Sequence, residues 1–279
     1  MNEKSAIILA AFGTSGAGRK TYGRIYRVIQ EQFPQCDVFL AYTSKKLCAA
    51  FAARGAVGYS LDEVLSTVIT NGSSRVVVQS LHIVPGYEYE KIIAAARCAA
   101  VPVAVGEPLL ASDEDCRTVI NALAPYLKPE PGSAVVLAGH GTRHPRGAAM
   151  YARFAECLYA HSPDGIFLAM VEGEPSWQRV RALLSKRGVR RVFFIPFMLV
   201  AGEHIEHDVL GADNSSWVAS LEGIEIQALM EGLGNNSKIL DLFVTHIRTA
   251  CRLWSDQAEN FCAPTRMKNF VMFHDEGGL

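Results

Sequence analysis

Short continuous apolar runs alternate along the chain with segments whose apolar residues recur every three or four positions. Runs at 6–12, 38–42, 75–81 and 101–105 read as strands buried on both faces. Helical periods fall between and after them, at 16–33, 60–69, 89–100 and 116–127. Within the first helix Tyr22, Ile25, Tyr26 and Ile29 share one face, and Ser60-Leu61-Asp62-Glu63 has the form of a capped helix start. Residues 128–132, with two prolines and a glycine, forbid a continuing helix and mark a linker. The order then restarts, with strands at 135–138, 166–171, 192–199 and 224–228 and helices at 148–160, 176–184 and 236–253. This alternation predicts an α/β fold of two similar lobes, each a parallel β-sheet flanked by helices, with an active-site cleft between them. The lobes are expected at 1–128 and 133–253. The tail at 254–279 is too weakly patterned to place, and reads as a frayed end or as an arm on a neighbouring lobe or chain, the latter making a homo-oligomer.

The lobes also match residue for residue. An offset of 128 carries Gly13-Thr14 onto Gly141-Thr142 and Phe39-Leu40-Ala41 onto Phe167-Leu168-Ala169, and pairs Phe12 with His140 and Ser44 with Glu172. An offset of 116 carries Arg75-Val76 onto Arg191-Val192 and Gly86 onto Gly202, and pairs Glu88 with His204. Offsets shared across separated strands argue for an internal repeat.

Composition narrows the function classes. The 279 residues carry a net charge of −1, so no global basic field points to nucleic acid. The first apolar run leads directly into a glycine turn without a small-residue cleavage site, and no run reaches the ~18 residues of a membrane span. Neither a membrane nor a nucleic-acid partner is expected. Seven cysteines, an odd number with no CxxC pair, suit reduced thiols and a cytoplasmic location. There is no GxxxxGK[ST] for a nucleotide and no GxSxG for a serine hydrolase.

The chemistry collects at strand ends of the second lobe. Gly139-His140-Gly141 makes a sharp exit from its first strand and presents an imidazole at the carboxyl edge, where open α/β sheets bind ligands. Glu172 follows the second strand, with Glu174 as an alternative. His204 follows the third, with His207 three residues on. Two imidazoles and a carboxylate suit a first-row divalent ion such as Co²⁺, Fe²⁺, Ni²⁺ or Zn²⁺, and three protein ligands leave coordination positions open, as in catalytic sites.

At these residues the chain resembles the anaerobic single-subunit sirohydrochlorin cobaltochelatases of the CbiK type, relatives of the class II chelatases and of ferrochelatase. The resemblance spans roughly 5–250 and rests on FGTS at 12–15, QSLHIVPGYEYE at 79–90, GHGTRHP at 139–145, VEGEP at 171–175 and FMLVAGEHIEHD at 197–208. It implies a lyase-type chelatase that inserts Co²⁺ into sirohydrochlorin in anaerobic cobalamin biosynthesis, without a nucleotide. It also implies metal ligands His140, Glu172 and His204, selecting Glu172 over Glu174 and His204 over His207. The imidazole of His140 is a competent proton acceptor, and Glu172 can pass protons outward. The first lobe then becomes the macrocycle wall. Phe12 and Tyr87 are expected against the ring, Thr14 and Ser15 on a carboxylate, and His82 and Glu88 facing the same cleft. Alternatives are a sirohydrochlorin ferrochelatase acting on Fe²⁺ for sirohaem, and a non-catalytic tetrapyrrole or metal carrier.

Overall fold

The computed structural model describes residues 4–14, 18–202, 204–211 and 213–252. Ser15 and the tail at 254–279 lie outside the described residues. The first half runs β1 (Lys4–Ala11), α1 (Gly18–Gln32), β2 (Asp37–Tyr42), α2 (Lys45–Ala53), α3 (Leu61–Thr70), β3 (Ser73–Ser80), α4 (Tyr87–Arg97), β4 (Val103–Gly106) and α5 (Asp113–Leu123). The second runs β5 (Ser133–Gly141), α6 (Pro145–His161), β6 (Ile166–Glu172), α7 (Trp177–Lys186), β7 (Arg191–Phe197), β8 (Glu225–Ala228) and α8 (Ser237–Cys251).

Two four-stranded parallel sheets result, ordered β2-β1-β3-β4 and β6-β5-β7-β8. The repeat is present in the register itself. Ile7 opposes Val38 as Val135 opposes Ile166, which is the offset of 128 on both strands. Ala6 opposes Val76 as Ala134 opposes Val192, with the offset of 116 on the second strand. The two-lobed α/β architecture read from the alternation is therefore observed.

The strands β1 and β5 are central and buried on both faces, which explains their unbroken apolar runs. Successive side chains go to opposite faces. Ile7, Leu9, Val135 and Leu137 enter one continuous core shared by both sheets with α1, α5, α6 and α8. Ala6, Ile8 and Ala10 face outward onto α3 and α4, and Ala134, Val136 and Ala138 onto α7 and Trp217. The lobes thus share an interior along one side and part only at the carboxyl ends of their strands.

Two features depart from the sequence reading. α2 was not expected. Its periodicity is weak, but Ser44 caps it by accepting from the Leu47 N–H at 3.3 Å. α8, which chain order places in the second lobe, packs instead on β3, β4 and α5 of the first. It is anchored there by buried polar contacts. Asn236 donates to the Ala122 carbonyl at 3.1 Å, and His246 bonds both the Glu107 carbonyl at 3.1 Å and Asp115 Oδ1 at 3.2 Å. The expected capping at Ser60 is present as a full box with Glu63, whose carboxylate accepts from the Ser60 N–H at 2.7 Å. Cys36, Cys116 and Cys251 are buried core residues. Among the described residues no helix is long and apolar enough to cross a membrane.

Candidate metal and macrocycle site

The site begins as a backbone feature. Gly141 ends β5 at φ +79°, and a Cβ there would stand 1.8 Å from the Glu172 carbonyl oxygen. Only glycine permits that approach. Gly141 and Glu172 are consequently register partners across β5 and β6, so His140 and Glu172 leave their strands side by side. Gly173, at φ +92°, brings the next stretch of β6 chain against Thr142 in the same way.

His140 is exposed at this edge, and its Nδ1 lies 3.2 Å from the Gly141 carbonyl. A carbonyl can only accept, so a neutral ring that makes this bond carries its hydrogen on Nδ1 and has Nε2 as its basic nitrogen. The Glu172 carboxylate is partly exposed, and Arg143 Nε meets its Oε1 at 2.8 Å. His204 is the first residue of a π-helical turn, His204–Val209. Ile205 and Val209, four apart, are both buried and fix the turn on the core of the second lobe. The His204 side chain lies outside the described part of the structure. Among the described residues no three His, Cys, Asp or Glu side chains form a metal-holding group.

A cleft of about 580 Å³ opens over this edge, and His140 and Glu172 line it together with Phe12, Thr14, His82, Tyr87 and Glu88 from the first lobe. Glu174 turns away to accept from the Ser176 N–H at 2.9 Å and lines a different groove, and His207 is exposed outside the cleft lining.

The first-lobe wall has the character of a ligand surface. Phe12 is 52% and Tyr87 57% exposed, too open for core aromatics. Tyr87 stands edge-on against His144, with centroids 4.7 Å apart. His144 is buried as the N-cap of α6, and its Nε2 reaches Glu90 Oε1 at 3.0 Å. That contact ties the α4 turn of one lobe to the α6 turn of the other.

Two buried atoms on this wall, His82 Nε2 and Glu88 Oε2, have no hydrogen-bond partner among the described residues. Burial pushes the His82 imidazole down to about 4, only partly opposed by Glu88, so it is neutral at physiological pH. Arg54, at the end of α2, also lines the cleft. The sequence reading missed it because it missed α2.

The family model for cobalt chelatase (CbiK) matches residues 5–252. The chain belongs to the CbiK cobalt chelatase family. Among curated relatives of this CbiK-family chain is the sirohydrochlorin cobaltochelatase of Salmonella typhimurium strain LT2. It is 31% identical over 269 residues, covering 91% of this chain and 99% of that one. Sirohydrochlorin cobaltochelatase CbiKC of Nitratidesulfovibrio vulgaris strain Hildenborough is 30% identical over 263 residues, covering 91% and 93%. Among solved structures, SirB from Bacillus subtilis with Fe³⁺ superposes at a TM-score of 0.64, with 15% identity and coverage of 92% and 98%. The sirohydrochlorin chelatase SirB of B. subtilis subspecies spizizenii in complex with cobalt gives 0.59 at 13% identity, covering 92% and 97%. At that identity the SirB likeness speaks for the CbiK-family fold alone.

Proposed function

We propose that the protein inserts Co²⁺ into sirohydrochlorin without a nucleotide, with His140, Glu172 and His204 as ligands of the incoming ion. One observation carries the reading. A basic nitrogen and a carboxylate are forced side by side at the mouth of a cleft whose opposite wall bears exposed aromatics and unpartnered buried polar atoms. Family membership and the curated relatives support the same substrate pair.

The chemistry follows from the donor atoms. His140 Nε2 and a Glu172 oxygen take the dication from water, and an open shell lets it leave again. Phe12 and Tyr87 hold the flat macrocycle over the ion. His82 Nε2 and Glu88 Oε2, wanting partners, meet its polar groups, with Thr14 and Arg54 toward the peripheral carboxylates. As the metal passes to the ring nitrogens, two pyrrole N–H bonds break. The ligand atoms that the metal vacates become bases where those protons depart, and His140 and Glu172 release them to water. The ring becomes a dianion as it gains the dication, so charge balances without redox chemistry. In this reading 1–128 supplies the ring wall and 133–253 the metal wall, and reduced thiols favour a cytoplasmic setting.

The test is anaerobic mixing of protein, sirohydrochlorin and limiting Co²⁺ or Fe²⁺, followed by absorbance beside a His140→Ala control. Protein-dependent insertion that the substitution abolishes is expected, with Co²⁺ ahead of Fe²⁺. Faster insertion of Fe²⁺ would make the protein a ferrochelatase. Binding of both substrates with no acceleration would leave a carrier.

A further inference from the structure

The ion pair between Arg143 and Glu172 has a use that neither the fold nor the insertion chemistry requires. It is not a chance surface contact. The left-handed glycines Gly141 and Gly173 press the two chain segments together, and a Cβ at Gly173 would lie 3.0 Å from the Thr142 carbonyl oxygen. Arg143 is therefore held opposite Glu172 by the backbone, while its own side chain is 80% exposed and can swing away. Nε sits 2.8 Å from Oε1, an oxygen that an incoming dication also needs.

We propose that Arg143 competes with the metal for Glu172, keeping the ion loosely held so that it can be handed to the macrocycle. This rests on the chelatase reading above. A guanidinium and a dication cannot both occupy the same carboxylate oxygen without strong repulsion. Metal entry displaces Arg143 into solvent, and its return to Glu172 offsets the loss of the metal–carboxylate bond as the ion departs. Arg143 acts through Glu172 and is a positioning residue. An enzyme that must surrender its metal gains from a weak built-in competitor, whereas a storage site would lose by one.

The experiment measures Co²⁺ affinity by competition with a chromophoric chelator, with no tetrapyrrole present, for the unaltered protein, Arg143→Ala, Glu172→Gln and the double variant. An exposed ion pair of ordinary strength predicts roughly two- to fivefold tighter Co²⁺ binding in Arg143→Ala. The gain should vanish in the Glu172→Gln background and shrink in ~1 M salt, where screening reaches ~3 Å. At saturating substrates the same variant should turn over roughly two- to fivefold more slowly. Tighter binding with slower turnover is not what a folding defect produces. Unchanged or weaker Co²⁺ binding in Arg143→Ala, or a gain that persists without Glu172, would overturn the competition while insertion by the unaltered protein still stood. Failure of the unaltered protein to bind Co²⁺ or accelerate insertion would remove the chelatase reading, and this proposal with it.

Discussion

Gly141→Ala tests whether the site is made by backbone approach. The new methyl faces two separate penalties. Holding an alanine at φ +79° costs about 1–2 kcal/mol. Its Cβ also meets the Glu172 carbonyl oxygen at 1.8 Å, so the strands must part by about 1.2 Å to reach even a tight 3.0 Å contact. Parting them weakens β5–β6 hydrogen bonds at about 1 kcal/mol each. The sum is about 3–4 kcal/mol, a large share of a typical domain stability of ~5–15 kcal/mol. The control is Gly188→Ala, which has φ +62° and nothing within 4 Å of its Cβ, and so meets the first penalty alone. Urea denaturation should show Gly141→Ala losing about 2 kcal/mol more than Gly188→Ala. Metal insertion by the folded fraction should fall about a hundredfold, since a shift near 1 Å at reacting groups costs that much. Equal stability losses in the two variants, with insertion kept in Gly141→Ala, would refute the close-approach argument.

Two further substitutions probe buried groups. His82→Leu removes an unpartnered buried nitrogen together with the 3.0 Å bond between Nδ1 and Ser80 Oγ, so the two effects offset and the ligand-free protein should stay within about 1 kcal/mol of the original stability while KM for the tetrapyrrole rises. Because the folded imidazole resists protonation down to about 4 while the unfolded chain protonates near 6.5, the native protein should lose stability relative to His82→Leu as pH falls through that interval. Calorimetry across pH checks both, and a stability difference that does not change across that interval contradicts the linkage. At Asp115 burial pushes the carboxyl up, but hydrogen bonds led by that from His246 outweigh it and hold the pKa below the usual range. A depressed carboxylate pKa contributes stability that is fully present above the unfolded value of about 3.9 and is lost as pH falls through the folded one. Asp115→Asn should therefore be less stable at neutral pH and show a shallower acid loss below about pH 4 in urea titrations, with α8 loosened from the first sheet.

The sequence exposed what depends on period and missed what depends on distant partners. β1 and β5 were visible because both faces of each are buried, leaving no polar position to interrupt the apolar run. The cross-strand registers were legible too, since the repeat offsets reappear unchanged in the pairing. α2 was hidden because only Phe51 of its nine residues is buried, while Leu47 and Cys48 are half-buried against the same core and Leu47 and Ala50 also line the cleft, so the helical stripe is too narrow to read. The docking of α8 on the first lobe was equally unreadable, because it hangs on His246 meeting Asp115 from 131 positions away. At the site, His140 and Glu172 could be placed at strand ends, but their adjacency required the positive φ of Gly141, which the letter G permits without demanding.

The repeat explains why the chemistry divides as it does. A duplicated lobe presents equivalent strand-end positions on both sides of a cleft, and identical walls would bind one kind of ligand twice. Here the equivalent positions have diverged in opposite directions. Where the second lobe has His140, the first has Phe12, an aromatic ring 52% exposed to the cleft. Where the second has Glu172, the first has Ser44, spent on capping α2. The first lobe thus has no strand-end group competing for a dication at those two positions, and the second presents no aromatic there to stack on a macrocycle. On the proposed assignment, joining two substrates of unlike chemistry draws on that asymmetry, and the core shared by both sheets holds the unlike walls in register.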